Sequence, residues 1–183
     1  VTYDSCEDTS VICNAGEAFG DFQTILSDFD AAQLFYTIPD FHNTRKRYET
    51  FEASVLADPC GIVTDVKEDV DWLMSVKDRA CRLTDLFAVG KLPLRVTHND
   101  TKINNILFDE ETNKAICVID LDTVMPGLSL YDFGDSIRFG ASTGAEDEKD
   151  LSKVALSLEY FKAYVDGYLE SAGESLTDNE IKY

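Results

Sequence analysis

The sequence predicts an α+β fold that is mainly helical, with one small β-hairpin. Three observations predict it. Apolar residues recur at helical spacing in separate runs, near residues 17–29, 44–57, 64–88 and 158–169. A short apolar strand, a polar turn and a returning strand lie between Ile106 and Ile119. Just ahead of that hairpin, residues 98–105 are polar and read as a loop. At 183 residues the chain has the size of one ordinary domain and is long enough to bury a core.

Taken in order, Val1 to Asn14 is short on pattern and reads as an edge strand or a lead-in. From Glu17, the spacing Phe19, Phe22, Ile25/Leu26, Phe29 predicts a helix with that stripe in the core. Gly16 and Gly20 fall within the helical pattern. After the break at Ile38-Pro39-Asp40, Asn43 or Thr44 is placed to cap a helix through about Ala57, with Tyr48, Phe51 and Val55 inward. Asp58-Pro59-Cys60-Gly61 is a turn, and Thr64 is placed to cap a long helix to about Ala88, with Trp72 packed near its middle. Gly90 stops that helix and Pro93 prevents a restart. Leu94–Thr97 is a short strand, Ile106–Phe108 and Ala115–Ile119 form the hairpin, and Met125-Pro126-Gly127 is a turn. Leu158, Phe161, Val165, Tyr168 and Leu169 mark another amphipathic helix, ended by Gly173. Thr177 to Glu180 is a capping box that opens one more.

Composition narrows the function. Lys+Arg 16 against Asp+Glu 35 gives a net charge of −19, which argues against nucleic acid or an anionic membrane surface as a partner. No apolar run is long enough to span a bilayer. Cysteines at 6, 13, 60, 81 and 117 form no C-x-x-C pair, so zinc is not expected, and Cys81 and Cys117 read as buried thiols. A reducing, cytoplasmic setting is the simplest one.

The chemistry concentrates between Val96 and Asp122. His98-x-Asp100-x-x-x-x-Asn105 matches the catalytic-loop spacing of kinases, with Asn99 where protein kinases usually carry Arg. In that reading Asp100 orients or receives the proton of an attacking hydroxyl, and Lys102, two residues on, touches the transferring phosphate. His98 supports the loop. Asn105 and Asp120, with Asp122 two residues further, offer the hard oxygen ligands that Mg²⁺ prefers. If the strand persists, the period of two puts Asp120 and Asp122 on one face. The plainer reading is that Asp, Asn and His stabilise turns, but four positions followed by a second acidic motif exceed that.

VTHNDTKINNILFD, then CVIDLDTVMPG, then YDFGDSIRFGAS resemble the aminoglycoside-phosphotransferase-like small-molecule kinases, and most nearly the N-acetylhexosamine kinases. The resemblance runs from about Ala15 to the end of the chain. It implies an ATP- and Mg²⁺-dependent enzyme that phosphorylates the anomeric hydroxyl of an amino sugar. It also implies that residues 1–183 are part of the C-terminal lobe of a protein-kinase-like fold. A glycine-rich, nucleotide-clamping lobe and further helices would then be missing, so the fragment alone is expected to be inactive and prone to self-association through an uncovered apolar strip. Asp132-Phe133-Gly134 spells the kinase D-F-G, but by order Asp120 is the metal-binding counterpart, and Asp132 matches an aspartate that braces the catalytic loop. Thr123 and Arg138 are candidate substrate contacts, and each also has a bland reading, as a turn threonine and a surface ion pair. His42, Arg45 and Arg47 stand open between a sugar pocket and a solvated helix start, and Glu146-Asp147-Glu148 is expected to face solvent.

Two other classes compete. Asp120-Leu121-Asp122-Thr123-Val124 also resembles the motif of haloacid-dehalogenase-like phosphatases, with Asp120 as nucleophile, although that leaves the upstream loop unexplained. A non-catalytic fragment is the third class. Within the kinase class, choline or an aminoglycoside is the alternative acceptor.

Overall fold

The computed structural model describes residues 1–4 and 8–183, so Cys6 lies outside the described residues. Helices are α1 (Thr9–Ile25), α2 (Thr44–Ala57), α3 (Lys67–Ala80), α4 (Arg82–Ala88), α5 (Ser129–Gly140), α6 (Leu158–Ala172) and α7 (Asp178–Lys182). Strands β1 (Arg95–Thr97), β2 (Ile106–Phe108), β3 (Ala115–Val118) and β4 (Met125–Gly127) form two antiparallel pairs, β1 with β4 and β2 with β3. The mixed, mainly helical expectation holds. The chain divides into two compact units, Val1–Thr37 with Leu94–Tyr183, and Ile38–Pro93.

In the first unit the core forms where α1 crosses α6. Glycines let the two backbones touch: a Cβ on Gly167 would lie 2.0 Å from the Cys13 carbonyl oxygen, and one on Gly16 would lie 2.3 Å from that of Tyr164. Phe19, Tyr164 and Tyr168 bury against Ile106 and Phe108 around this crossing. Two corrections concern α1. It starts at Thr9, where Asp8 caps it by accepting from Ser10 N at 2.8 Å, so residues 9–14 are helix, whereas Val1 exchanges both main-chain hydrogen bonds with Phe108 of β2 at 2.8 Å, as an edge strand does. Its buried face is Ile12, Ala15, Gly16, Phe19, Gly20 and Gln23, while Ile25 and Phe29 are exposed. Phe19 is in the core as expected and Phe22 and Leu26 are half-buried, but small residues carry little hydropathy, so the spacing of large apolar residues passed over Ala15, Gly16 and Gly20 and extended to Ile25 and Phe29. In α6 likewise, Tyr164, Gly167, Tyr168 and Ala172 turn inward, and Leu158 and Leu169 do not.

Within the second unit, α2 follows expectation. Asn43 Oδ1 accepts from Lys46 N at 3.1 Å, Tyr48 is buried, and Asp58 and Gly61 take the turn at positive φ. The single helix expected over 64–88 is two, parted at Cys81, and α3 begins after Val66 with no side-chain cap, so Thr64 does not cap it. No residue of α3 is buried, and Trp72 is 62% exposed rather than packed. Gly90 (φ 71°) ends α4 as expected. Cys81 is a buried thiol, whereas Cys117, on the outer side of β3, is exposed.

Met125-Pro126-Gly127 is a strand, not a turn. It pairs Arg95 with Gly127, Val96 with Pro126 and Thr97 with Met125. A Cβ on Gly127 would meet Thr97 Oγ1 at 2.3 Å, so the close pairing needs glycine there. This pairing sets the end of β1 beside the start of β4, which brings residues 98–100 next to residues 119–124. On the other side of β1, Arg95 Nε and Nη2 meet Glu180 Oε1 and Oε2 at 2.5 and 2.8 Å. Glu180 also closes the expected capping box with Thr177, which fastens α7 to the strand.

Candidate active site

The loop after β1 turns at Asn99, whose φ of 69° lies in the left-handed region that Asn and Asp adopt more readily than most residues. Asn99 Nδ2 donates to the carbonyls of Thr97 (3.1 Å) and Thr123 (2.9 Å). Asp132, fully buried in the first turn of α5, receives three N–H groups. His98 N (2.8 Å) and Gln23 Nε2 (3.0 Å) donate to Oδ2, and Asn99 N (2.8 Å) donates to Oδ1. Burial pushes the Asp132 carboxyl up to about 7, and the three N–H bonds pull the other way. One turn further along α5, Asp135 Oδ2 accepts from Thr101 N at 3.0 Å and Ser136 Oγ donates to the Thr101 carbonyl at 3.1 Å. One face of α5 thus holds the loop's main chain from 98 to 101.

The His98 ring is buried, edge-on to Phe19 and Phe22. Its Nε2 lies 2.9 Å from the Ile119 carbonyl, and its Nδ1 accepts from Asp100 N at 3.3 Å. This network assigns the ring proton to Nε2 and leaves neither nitrogen for proton transfer.

Asp100 sits on the open side of the loop, its side chain 32% exposed. Asn105 Nδ2 donates to the Asp100 carbonyl at 2.8 Å and to its Oδ2 at 3.2 Å, which leaves Oδ1 as the amide's other polar atom. Lys102 Nζ lies 3.9 Å from Asp100 Oδ1 and 3.2 Å from Glu146 Oε2. The expected strand does not persist to the acidic pair: β3 stops at Val118, Asp120 has φ 61°, and Leu121–Thr123 is a 3₁₀ turn. What places Asp120 is Ile119, tied to the loop at both ends of its residue. Its N–H donates to the Asn105 carbonyl at 2.9 Å, and its carbonyl meets His98 Nε2. Asp120 and Asp122 meet all the same. A hydrogen bond with Asp122, and then the Asp122 charge, raise the Asp120 carboxyl above its usual range, and the Asp100 charge adds to this.

Among the described residues, no three His, Cys, Asp or Glu side chains group as a metal centre. Asn105 and the Asp120–Asp122 pair fit Mg²⁺ in a different way. Mg²⁺ is commonly held by one or two carboxylates, with phosphate and water completing its octahedron. A carboxyl whose proton affinity is raised by a neighbouring carboxylate, as that of Asp120 is by Asp122, is also the arrangement that a divalent cation relieves.

The remaining candidates are engaged otherwise. Thr123 Oγ1 donates to the His98 carbonyl at 2.7 Å, so its hydrogen braces the loop. Arg138 pairs with Asp135 and Glu146. Glu146 is therefore not simply solvent-facing. In the second unit, Arg45 makes two 2.7 Å bonds to Asp85, and Arg47 Nη2 donates to the Phe41 carbonyl at 2.6 Å. Gln23, Asp135 and Ser136 escaped the sequence reading. Asp132, Asp135 and Ser136 at i, i+3 and i+4 were a legible polar stripe on one helical face, whereas Gln23 gave no signal. Compared with known protein families, residues 7–173 match the model of the phosphotransferase enzyme family, a span that begins ahead of Ala15, where the resemblance was expected to start.

Proposed function

The chain belongs to the phosphotransferase enzyme family, and from that premise we propose that it is the catalytic lobe of an ATP-dependent kinase acting on a small-molecule hydroxyl. The acceptor we assign is the anomeric hydroxyl of an N-acetylhexosamine, with choline or an aminoglycoside as the in-class alternative. The observation that carries the reading is how Asp100 is held. It stands on the open side of a loop pinned from behind by buried Asp132, with the Asn105 amide against it and the Lys102 ammonium 3.9 Å away.

Each residue then has a part. Asp100 orients the acceptor hydroxyl and takes up its proton, and Lys102 steadies the phosphate in transit. Asn105 and Asp120, with Asp122 beside them, are the groups that would hold Mg²⁺. That ion, when bound, offsets phosphate charge and orients the nucleotide. Asp132, His98 and Thr123 keep the loop in shape, and Arg138 acts through its ion pairs rather than on the sugar. The amino-sugar assignment rests on the three runs around Asp100, Asp120 and Asp132. A phosphatase working through Asp120 would leave this braced loop without a purpose.

Among the described residues the strands form only two-stranded pairs, none of them a glycine-rich cover for phosphates. Positioning supplies most of the catalysis in phosphoryl transfer, so turnover by these 183 residues alone is expected to be low. The test is transfer of labelled phosphate from ATP to N-acetylglucosamine, N-acetylgalactosamine, choline and an aminoglycoside. It is run with this chain, and with a longer protein that joins the lobe to a nucleotide-clamping one. Transfer to the amino sugars by the longer protein is expected, and Asp100→Asn should lower it by at least about 100-fold. Undiminished transfer by Asp100→Asn would refute the assignment.

A further inference from the structure

Glu146 lies in the polar segment after α5, yet it reaches back to the catalytic loop by two routes. Its Oε2 is 3.2 Å from Lys102 Nζ, closer than that ammonium is to Asp100 Oδ1 at 3.9 Å. Its Oε1 is 3.2 Å from Arg138 Nη1, and Arg138 Nε and Nη2 bind Asp135 Oδ1 at 3.1 and 3.0 Å. Asp135 in turn accepts from Thr101 N through its other oxygen. The contacts close a ring: Asp100, Lys102, Glu146, Arg138, Asp135, Thr101. Lys102 is thus a cation between two carboxylates, one on the catalytic loop and one, half-exposed, on the segment after α5.

We propose that Glu146 is a positioning residue for Lys102. It holds the ammonium beside Asp100 as an anionic stand-in for phosphate, and it releases the ammonium when a nucleotide phosphate arrives. The geometry suits an exchange. A carboxylate and a phosphate compete for the same ammonium donors, and a phosphate oxygen carrying more charge takes the closer place. The pairing with Arg138 gives Glu146 a second partner to fall back on, so the release strands no charge. The hand-over rests on the phosphoryl-transfer reading of Lys102, whereas the positioning does not.

The experiment measures acylation of Lys102 by an amine-reactive reagent, read by peptide mass spectrometry on the full chain, with exposed Lys114 as internal reference. Wild type, Glu146→Gln and Glu146→Asp are compared, and the arms with and without MgATP use the longer protein that joins this lobe to a nucleotide-clamping one. Glu146→Gln should raise Lys102 labelling about two- to fivefold, the range that a partly exposed ion pair supports, and Glu146→Asp should restore much of the protection. MgATP should suppress Lys102 labelling in every form, and most strongly in Glu146→Gln, where no carboxylate competes. Equal Lys102 labelling in wild type and Glu146→Gln would overturn the proposal. If Glu146→Gln raises labelling but MgATP leaves it untouched throughout, the hand-over falls together with the phosphate reading of Lys102.

Discussion

Asp132→Asn should change how the stability of the protein depends on pH, not only its value. The ordinary carboxyl pKa is 3.8, and in the folded chain burial raises that of Asp132 to about 7. Between those values the folded state keeps a proton that the unfolded state has released. Stability from this group therefore falls as pH rises through that window, and the loss is complete above about 7. At about 1.4 kcal/mol per unit, the gap amounts to about 4 kcal/mol. The Asn variant does not titrate. Its amide has one acceptor oxygen where the carboxyl, whose hydroxyl oxygen still accepts when protonated, uses two, so an NH₂ group faces N–H donors from His98, Asn99 or Gln23. At pH 4 the variant should be less stable than wild type, by about 1–3 kcal/mol for the mismatched buried donors. Between pH 4 and pH 7.5 the difference should then shift in the variant's favour by up to about 4 kcal/mol. Urea unfolding followed by circular dichroism at half-unit pH intervals measures both. Parallel pH curves for the two proteins would show that Asp132 does not hold its proton in the folded state.

Thr123→Val should lower stability by about 1 kcal/mol, because the His98 carbonyl loses its hydroxyl donor. A raised acceptor KM at unchanged stability would instead restore Thr123 as a substrate contact. Gly167→Ala should destabilise the chain by roughly 1–3 kcal/mol or more, since the new Cβ meets the α1 backbone. Gly134→Ala, on an open helix face, should be neutral or slightly stabilising, both variants being measured by urea unfolding. Glu180→Gln should cost about 3–5 kcal/mol, because it leaves the Arg95 guanidinium, only 11% exposed, without its carboxylate. A loss near zero in chemical unfolding would mean that α7 does not clamp β1.

The pattern of His98, Asp100 and Asn105 was legible because one local loop carries it, and its spacing survives whatever surrounds it. The same holds for the hairpin at Ile106–Val118, the turn at Asp58–Gly61, the stop at Gly90 and the capping box at Thr177, each set by residues a few positions apart. Contacts between distant segments were not legible. The break at Cys81 carries no glycine or proline to announce it. Gly16, Gly20 and Gly167 matter because two helices touch there, which a search for large apolar residues passes over. Pro126 and Gly127 look like a turn until Val96 and Arg95 lie opposite them. The site divides in the same way. The sequence by itself determined which side chains are proposed to carry the chemistry, since an acid, an amide and a lysine at fixed spacing on one loop need no partner to be recognised. Only the tertiary structure decided what holds them. Gln23, Asp132, Asp135 and Ile119 come from three segments remote from that loop, and they meet it because backbone N–H and C=O groups buried there must find partners wherever the fold supplies them.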